Sequence, residues 1–510
     1  MAESRNPRLP RVLLLSDTPA QQSKTAAILL NQLSLIWKFE FIAGKHDTQI
    51  EAAVIFSTPD IENNSSNAFM LPEPVWQLGT VDRPELLVII ENEIFFKRGM
   101  GHFGFNALTA LRIDDYPLTS EKYLKSGCRA HDRRIMQEIK NIMKACSGKA
   151  LPEFMIASHI LLPSGTLTSV AEIVPGSVHL LRELYSRKFI NINAHGRSHV
   201  DEAAFLQNGS IIPGEFSRLT DDETRTHIED SISFIKEAFS KTAVGFVPAC
   251  WSYNNSNTKK LAARYFSYLA DSNQRLERGE AEPFGAIMDT GTVHIPETIR
   301  ATSPSLDLAS PELWDTYFKT GIPAHFMAHG PYFMDPIFWL IKLLRKQAPA
   351  ASCLLIMAGA ICFYVLNLSS FLVLLAALSL AGLTGWFNRH AVAAIMRRFL
   401  ELLPVVKRKT LGEVVKVASG CSARWVYLEQ LADIAKAYGQ LEPVYSGIND
   451  TGHWVKFIAH TPIPEGIAYF APSRVLSASL DGHPLTGLKA NRIDFGRIPE
   501  GEHILVYSIS

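Results

Sequence analysis

Two groups of side chains in this 510-residue chain have the types and spacing to do hydrolytic chemistry. The stretch "LRIDDYP" (111–117) ends an apolar-leaning run on two adjacent carboxylates, Asp114 and Asp115. Further on, "NAHGRSHVDE" places His195 and His199 four positions apart. On the dipeptide alone a solvated turn is the plainer reading, because Asp and Pro are ordinary turn residues. Two acids that leave water need a metal, a proton or a donor to offset their repulsion and desolvation. Two imidazoles four apart would share one face of a helical turn, a spacing suited to a divalent metal. The chain has 16 histidines, enough for such a pair to arise by chance, and a second pair, His325 and His329 in "AHFMAHGPYF", does occur. A glycoside hydrolase would need two acids facing each other across a cleft. Neighbours on a strand point to opposite faces, so Asp114 and Asp115 do not suit that role.

The elements that must position these groups follow an α/β rhythm. From about 105 to 330, candidate strands "ALTALRID", "EFMIASHIL", "FININAH", "AVGFVPA", "YFSYLAD", "TVHIPET" and "AHFMAH" alternate with helical stretches. One helix, "TDDETRTHIEDSISFIKEAFSK", opens with Thr220 and Glu223 as a capping box. Repeated units of this kind predict a barrel-type α/β domain whose catalytic groups collect at the strand ends. Residues 1–100 read as a separate open α/β domain, flavodoxin-like or Rossmann-like. They lack a GxGxxG or Walker A pattern after the first strand, so this domain is expected to be accessory. Residues 442–510 are short alternating segments between turn residues and predict a small all-β, sandwich-like module.

Between Lys346 and Arg389 no charged residue occurs, a run about twice the length of one membrane span. Asn367, Ser369 and Ser370 divide it, which predicts a transmembrane or membrane-embedded helical hairpin over 347–388 with both ends on the cytoplasmic side. The first residues hold too short an apolar run for a secretory signal. The six cysteines are scattered without CxxC spacing, as in a reducing compartment. The expected location is therefore the inner membrane, with the soluble domains cytoplasmic. Basic and acidic residues balance at 50 each, so no global field favours nucleic acid.

The order of the pieces is specific: "IDD" at a strand end, then H-x3-H, then "GFVPACWSYN", "YLADSN" and a last strand ending in His329. This succession resembles the polysaccharide deacetylases, the carbohydrate esterases of family four. The likeness covers 101–335 and resumes near 411–440. It implies a distorted (β/α) barrel that hydrolyses N-acyl, typically acetyl, groups from sugars. By the same resemblance Asp115, His195 and His199 hold a divalent metal ion, Zn above others, and Asp114 is the catalytic base. His329 protonates the departing amine, with His325 as the alternative for that task. Pro248, Trp251 and Tyr116 line the substrate groove, and Asp271 in "YLADSN" reads as a turn acid. One departure stands out: Val247 occupies the place of an arginine that orients the base in the family. The base must then be oriented from elsewhere, or the domain is a degenerate saccharide-binding and assembly protein. Joining the chemistry to the apolar segment predicts an acylated saccharide on a lipid carrier, or a polymer precursor at the membrane's inner face, in envelope polysaccharide synthesis.

Overall fold

The structure is a computed structural model that describes residues 11–16, 40–43, 52–56, 75–77, 101–116, 135–145, 152–162, 164–208, 214–251, 256–270, 284–299, 308–329, 411–449 and 452–510. Its central element is a curled parallel sheet. The strands run in the order Val293–His294, Tyr268–Leu269, Gly245–Phe246, Asn191–Ala194, Glu153–Ile156, Leu108–Asp114, Ala324–His329. Beyond the first of these, Ile299 bridges in parallel to Phe326 of the last, so the sheet bends back on itself. This is the curled half-barrel of a distorted (β/α) barrel. Every position of Leu108–Asp114 is buried, as expected where both faces of a parallel sheet are covered.

The helix Asp221–Phe239 covers part of this sheet with Ile228, Ile235 and Phe239, and Thr220 and Glu223 close its capping box. Residues C-terminal to the apolar run return to the same body. Arg424 and Trp425 pair in parallel with Leu108 and Thr109. The helix Leu428–Gly439 begins where the Glu153 carboxylate, at the start of an inner strand, accepts the Leu428 N–H at 3.0 Å.

The C-terminal segment forms two antiparallel sheets. One runs Leu441–Asn449, Gly452–Ala459, Gly501–Ile509, Val475–Leu480, His483–Pro484. The other runs Gly487–Lys489, Arg492–Asp494, Ile467–Phe470, and its edge is His102–Phe105, a strand from the start of the expected barrel region. In the N-terminal region, Glu40–Ala43, Arg11–Ser16, Ala52–Phe56 and Val75–Gln77 form a parallel sheet in that order.

The expected transmembrane helix and membrane-associated location require correction. Among the described residues no helix is long and apolar enough to cross a membrane. The 347–388 segment on which that expectation rested lies outside the described residues, as do the basic stretch after it and Asp271.

Candidate metal centre

The strand Leu108–Asp114 ends one residue before Asp115, whose backbone is left-handed at φ 61°. That turn, rather than the pleat of the strand, directs Asp115. His195 follows the strand Asn191–Ala194, and the strand Glu153–Ile156 separates the two in the sheet. Across this gap His195 Nε2 lies 3.2 Å from Asp115 Oδ1, and His199 Nε2 lies 2.9 Å from the same oxygen. One ligand atom from each of Asp115, His195 and His199 lies within 4.8 Å of the others.

The hydrogen bonds show that this donor set fits a cation. His195 Nδ1 lies 2.9 Å from the Val247 carbonyl oxygen, which can only accept, so Nδ1 carries the proton. In a neutral ring Nε2 then presents a lone pair towards the Asp115 carboxylate. Two acceptors facing each other need a proton or a metal ion between them. An imidazole fixed at its far nitrogen by a backbone carbonyl is the usual arrangement of a metal-ligating histidine. At His199, burial pushes the imidazole down, but the charge and hydrogen bond of Asp115 outweigh it and hold it well above the ordinary histidine range.

His195 and His199 meet through a loop, not along a helical turn. Gly196 has φ 90° and His199 φ 66°, both left-handed. The loop is shaped around Glu215, a buried carboxylate that accepts the N–H groups of Arg197, Ser198 and His199 at 2.8, 3.0 and 3.0 Å. His227 Nδ1 completes the cradle at 2.7 Å. Burial pushes the Glu215 carboxyl up, but the His227 contact and the backbone donors together hold it below the ordinary carboxylate range. A Cβ on Gly196 would stand 2.5 Å from Glu215 Oε2, so the approach admits only glycine. Arg197 turns outward to Glu202 at 2.6 Å and Asp230 at 2.9 Å, tying the loop to two helices.

Beside the three donors, Asp114 is buried, and its Oδ1 stands 3.0 Å from Arg112 Nε in a charge contact. Neither Asp114 oxygen has a hydrogen-bond partner among the described residues, and Oδ1 alone has the charge contact. His329 lies in register with Asp114 on the neighbouring strand. His325, four residues earlier on the same strand and in register with Ala110, is fully buried with Nδ1 on the Pro296 carbonyl. Burial, aided by the Arg112 charge, pushes it down to about 3, so a neutral imidazole stands there and does not suit proton donation. Val247 gives its carbonyl to His195 while its side chain sits in the core. Pro248 is buried beside it. Trp251 closes the short helical turn Ala249–Trp251. Within that turn Cys250, at φ 51°, places Sγ 3.9 Å from His199 Nε2. Tyr116 is buried and packs edge-on against Phe154.

Arg112, Glu215 and Cys250 escape the motif pattern. For Arg112 a signal existed: an arginine inside the apolar run "ALTALRID", two residues before an acid, shares its face of the strand. Glu215 has no comparable mark, because its partners are backbone groups brought in by a loop.

No protein-family model matches the chain, and no curated protein matches it. The similar solved structures include members of the family whose motif order the sequence resembles. A CE4 family pseudoenzyme from Bacillus anthracis is 12% identical with a TM-score of 0.26, the match covering 48% of this chain and 62% of that one. The chain thus spans less than two thirds of that protein. A protein from Mycobacterium smegmatis named as a polysaccharide deacetylase is 16% identical with a TM-score of 0.31, covering 44% of this chain and 78% of that one. A family 4 acetyl xylan esterase from Clostridium thermocellum, in complex with a cobalt ion, is 14% identical with a TM-score of 0.23, covering 44% and 74%. With likeness this distant, function rests on the residues of the site.

Proposed function

We propose that the chain is a metal-dependent hydrolase that removes an N-acyl group, acetyl first of all, from a sugar. Asp115, His195 and His199 would hold a divalent ion, and two imidazoles with one carboxylate suit Zn. When bound, the ion supplies polarisation of the amide carbonyl and a more acidic water. The chain's own residues do the rest. Asp114 accepts a proton from the attacking water as the water oxygen bonds to the carbonyl carbon. His329 gives a proton to the amide nitrogen as the carbon–nitrogen bond breaks, and carboxylate and free amine leave. Pro248, Trp251 and Tyr116 would line the sugar groove, as the motif resemblance implies. The resemblance read from the motifs points to N-acylated saccharides, those of envelope polysaccharides among them.

One observation carries the reading: Asp115 meets His195 and His199 beside a second buried carboxylate with an uncommitted oxygen. A buried carboxylate oxygen without a partner is costly unless something else supplies the proton. The competing reading, a saccharide-binding domain without catalysis, rests on Val247 in place of an arginine. Acetate release from N-acetylated oligosaccharides by the Zn-loaded protein separates the two. Release that disappears in Asp114→Asn and His199→Ala supports the hydrolase. Stoichiometric metal without acetate from any N-acetylated saccharide would leave only the binding domain.

A further inference from the structure

Arg112 is a fully buried guanidinium in the middle of a parallel sheet. Removing such a charge from water costs several kcal/mol unless partners offset it, so its presence demands partners of matching chemistry. Nη1 has a hydrogen bond, whereas Nε and Nη2 have charge contacts without one. Nε is 3.0 Å from Asp114 Oδ1 on the same face of the same strand. Nη1 donates to the Ala270 carbonyl at 2.7 Å, just past the strand Tyr268–Leu269. Nη2 lies 4.0 Å from Glu297 Oε2, beyond the strand Val293–His294.

Three segments from different parts of the sheet thus fix one planar cation, and that cation faces the carboxylate next to the metal-ligating acid. A lysine could not reach three directions at once. The segment that holds His195, "GFVPACW", brings no cation of its own, since Val247 contributes only its carbonyl. The neighbouring His325 is a neutral ring.

We infer that Arg112 is the positioning residue for Asp114: it holds one carboxylate oxygen and leaves the other directed at chemistry. Glu297 and the Ala270 carbonyl hold Arg112 in turn. The catalytic consequence rests on the deacetylase reading above, whereas the pairing itself does not.

The test uses the full-length Zn-loaded protein with Arg112→Met, which removes the charge at similar length, and Arg112→Lys, which keeps it. Metal content is measured first, because Asp115, His195 and His199 are untouched and should still bind one equivalent. With metal retained, kcat for acetate release should fall about 10- to 100-fold in Arg112→Met, with KM little changed. Arg112→Lys should recover part of the loss, and added guanidinium ions should raise kcat of an Arg112→Ala protein. Unchanged kcat in metal-replete Arg112→Met, while Asp114→Asn is inactive, would overturn the inference.

A wild-type protein that releases no acetate would instead sink the deacetylase reading. A double-mutant cycle of Arg112→Met and Asp114→Asn on unfolding free energy then reads the pairing without the reaction. Non-additive effects uphold it, and additive effects refute it. If Arg112→Met does not fold, the same cycle with Arg112→Lys decides between them.

Discussion

Glu215 Oε2 accepts the backbone N–H of His199 at 3.0 Å, so a buried carboxylate 16 residues along the chain sets the position of a candidate metal ligand. The same carboxylate takes the N–H groups of Arg197 and Ser198 and the imidazole of His227. The loop from Gly196 to His199 has its shape because these donors converge on one acceptor.

Glu215→Gln keeps the volume but converts one acceptor oxygen into a donor that faces N–H groups. Zn affinity should fall about 10- to 100-fold, as for other residues that orient ligands without touching the metal. Competition with a chromophoric chelator measures it. An unchanged affinity would show that the loop holds His199 without the cradle.

The same residue predicts a pH dependence. Its carboxyl lies below the ordinary value of 4.5 in the folded protein, held there by His227 and the backbone donors against burial. A depressed carboxyl contributes stability that is present above 4.5 and is lost as pH falls through the lower, folded value. Thermal unfolding of the metal-free protein should therefore steepen its loss of stability below about pH 4.5, and Glu215→Gln should flatten that limb.

Gly196→Ala places a Cβ 2.5 Å from Glu215 Oε2 at a residue with φ 90°. Strain of this kind costs about 1–3 kcal/mol. Denaturant unfolding should register that loss, and metal content should fall with it, since His195 and His199 flank the shifted backbone.

A divalent ion held by Asp115, His195 and His199 would stabilise the native protein, so its removal should lower stability. At a free Zn concentration about 100 times Kd, binding contributes about 2.7 kcal/mol. Calorimetry with and without a chelator should show the corresponding drop in Tm. His199→Ala should lie near the chelated value and respond weakly to chelator.

Glu153 offers a test of how the last helical segment joins the barrel. Burial pushes its carboxyl up, yet it accepts from Tyr268, Asn193 and the Leu428 N–H. Glu153→Ala would leave these buried donors unsatisfied at about 1–3 kcal/mol each. Loss of amide-exchange protection centred on 428–439 would identify the junction, while Glu153→Gln should retain part of it.

Much of the strand pattern was legible because fully buried parallel strands read as short apolar runs between polar breaks. "ALTALRID" maps to Leu108–Asp114 and "AHFMAH" to Ala324–His329. The return of 424–425 to that sheet, and the capture of His102–Phe105 by a C-terminal strand, are long-range pairings that local periodicity does not encode. The long uncharged run, 347–388, lies outside the described residues. Hydropathy reports a preference for leaving water, and no membrane-crossing helix stands among the described residues.

At the site, the residue types and their order were a property of the sequence alone: two adjacent acids, two histidines four apart, and a later strand ending in histidine. Their geometry was not. Helical spacing and strand alternation both gave the wrong local reason, since His195 and His199 meet through a loop and Asp115 leaves the pleat at φ 61°. Left-handed backbone at Asp115 and His199 is held against local preference by contacts made elsewhere, whereas Gly196 adopts it without penalty. Only tertiary structure could decide them, because Glu215, Val247 and Arg112 act through partners from separate strands and loops that folding brings within about 3 Å, the ordinary hydrogen-bond range.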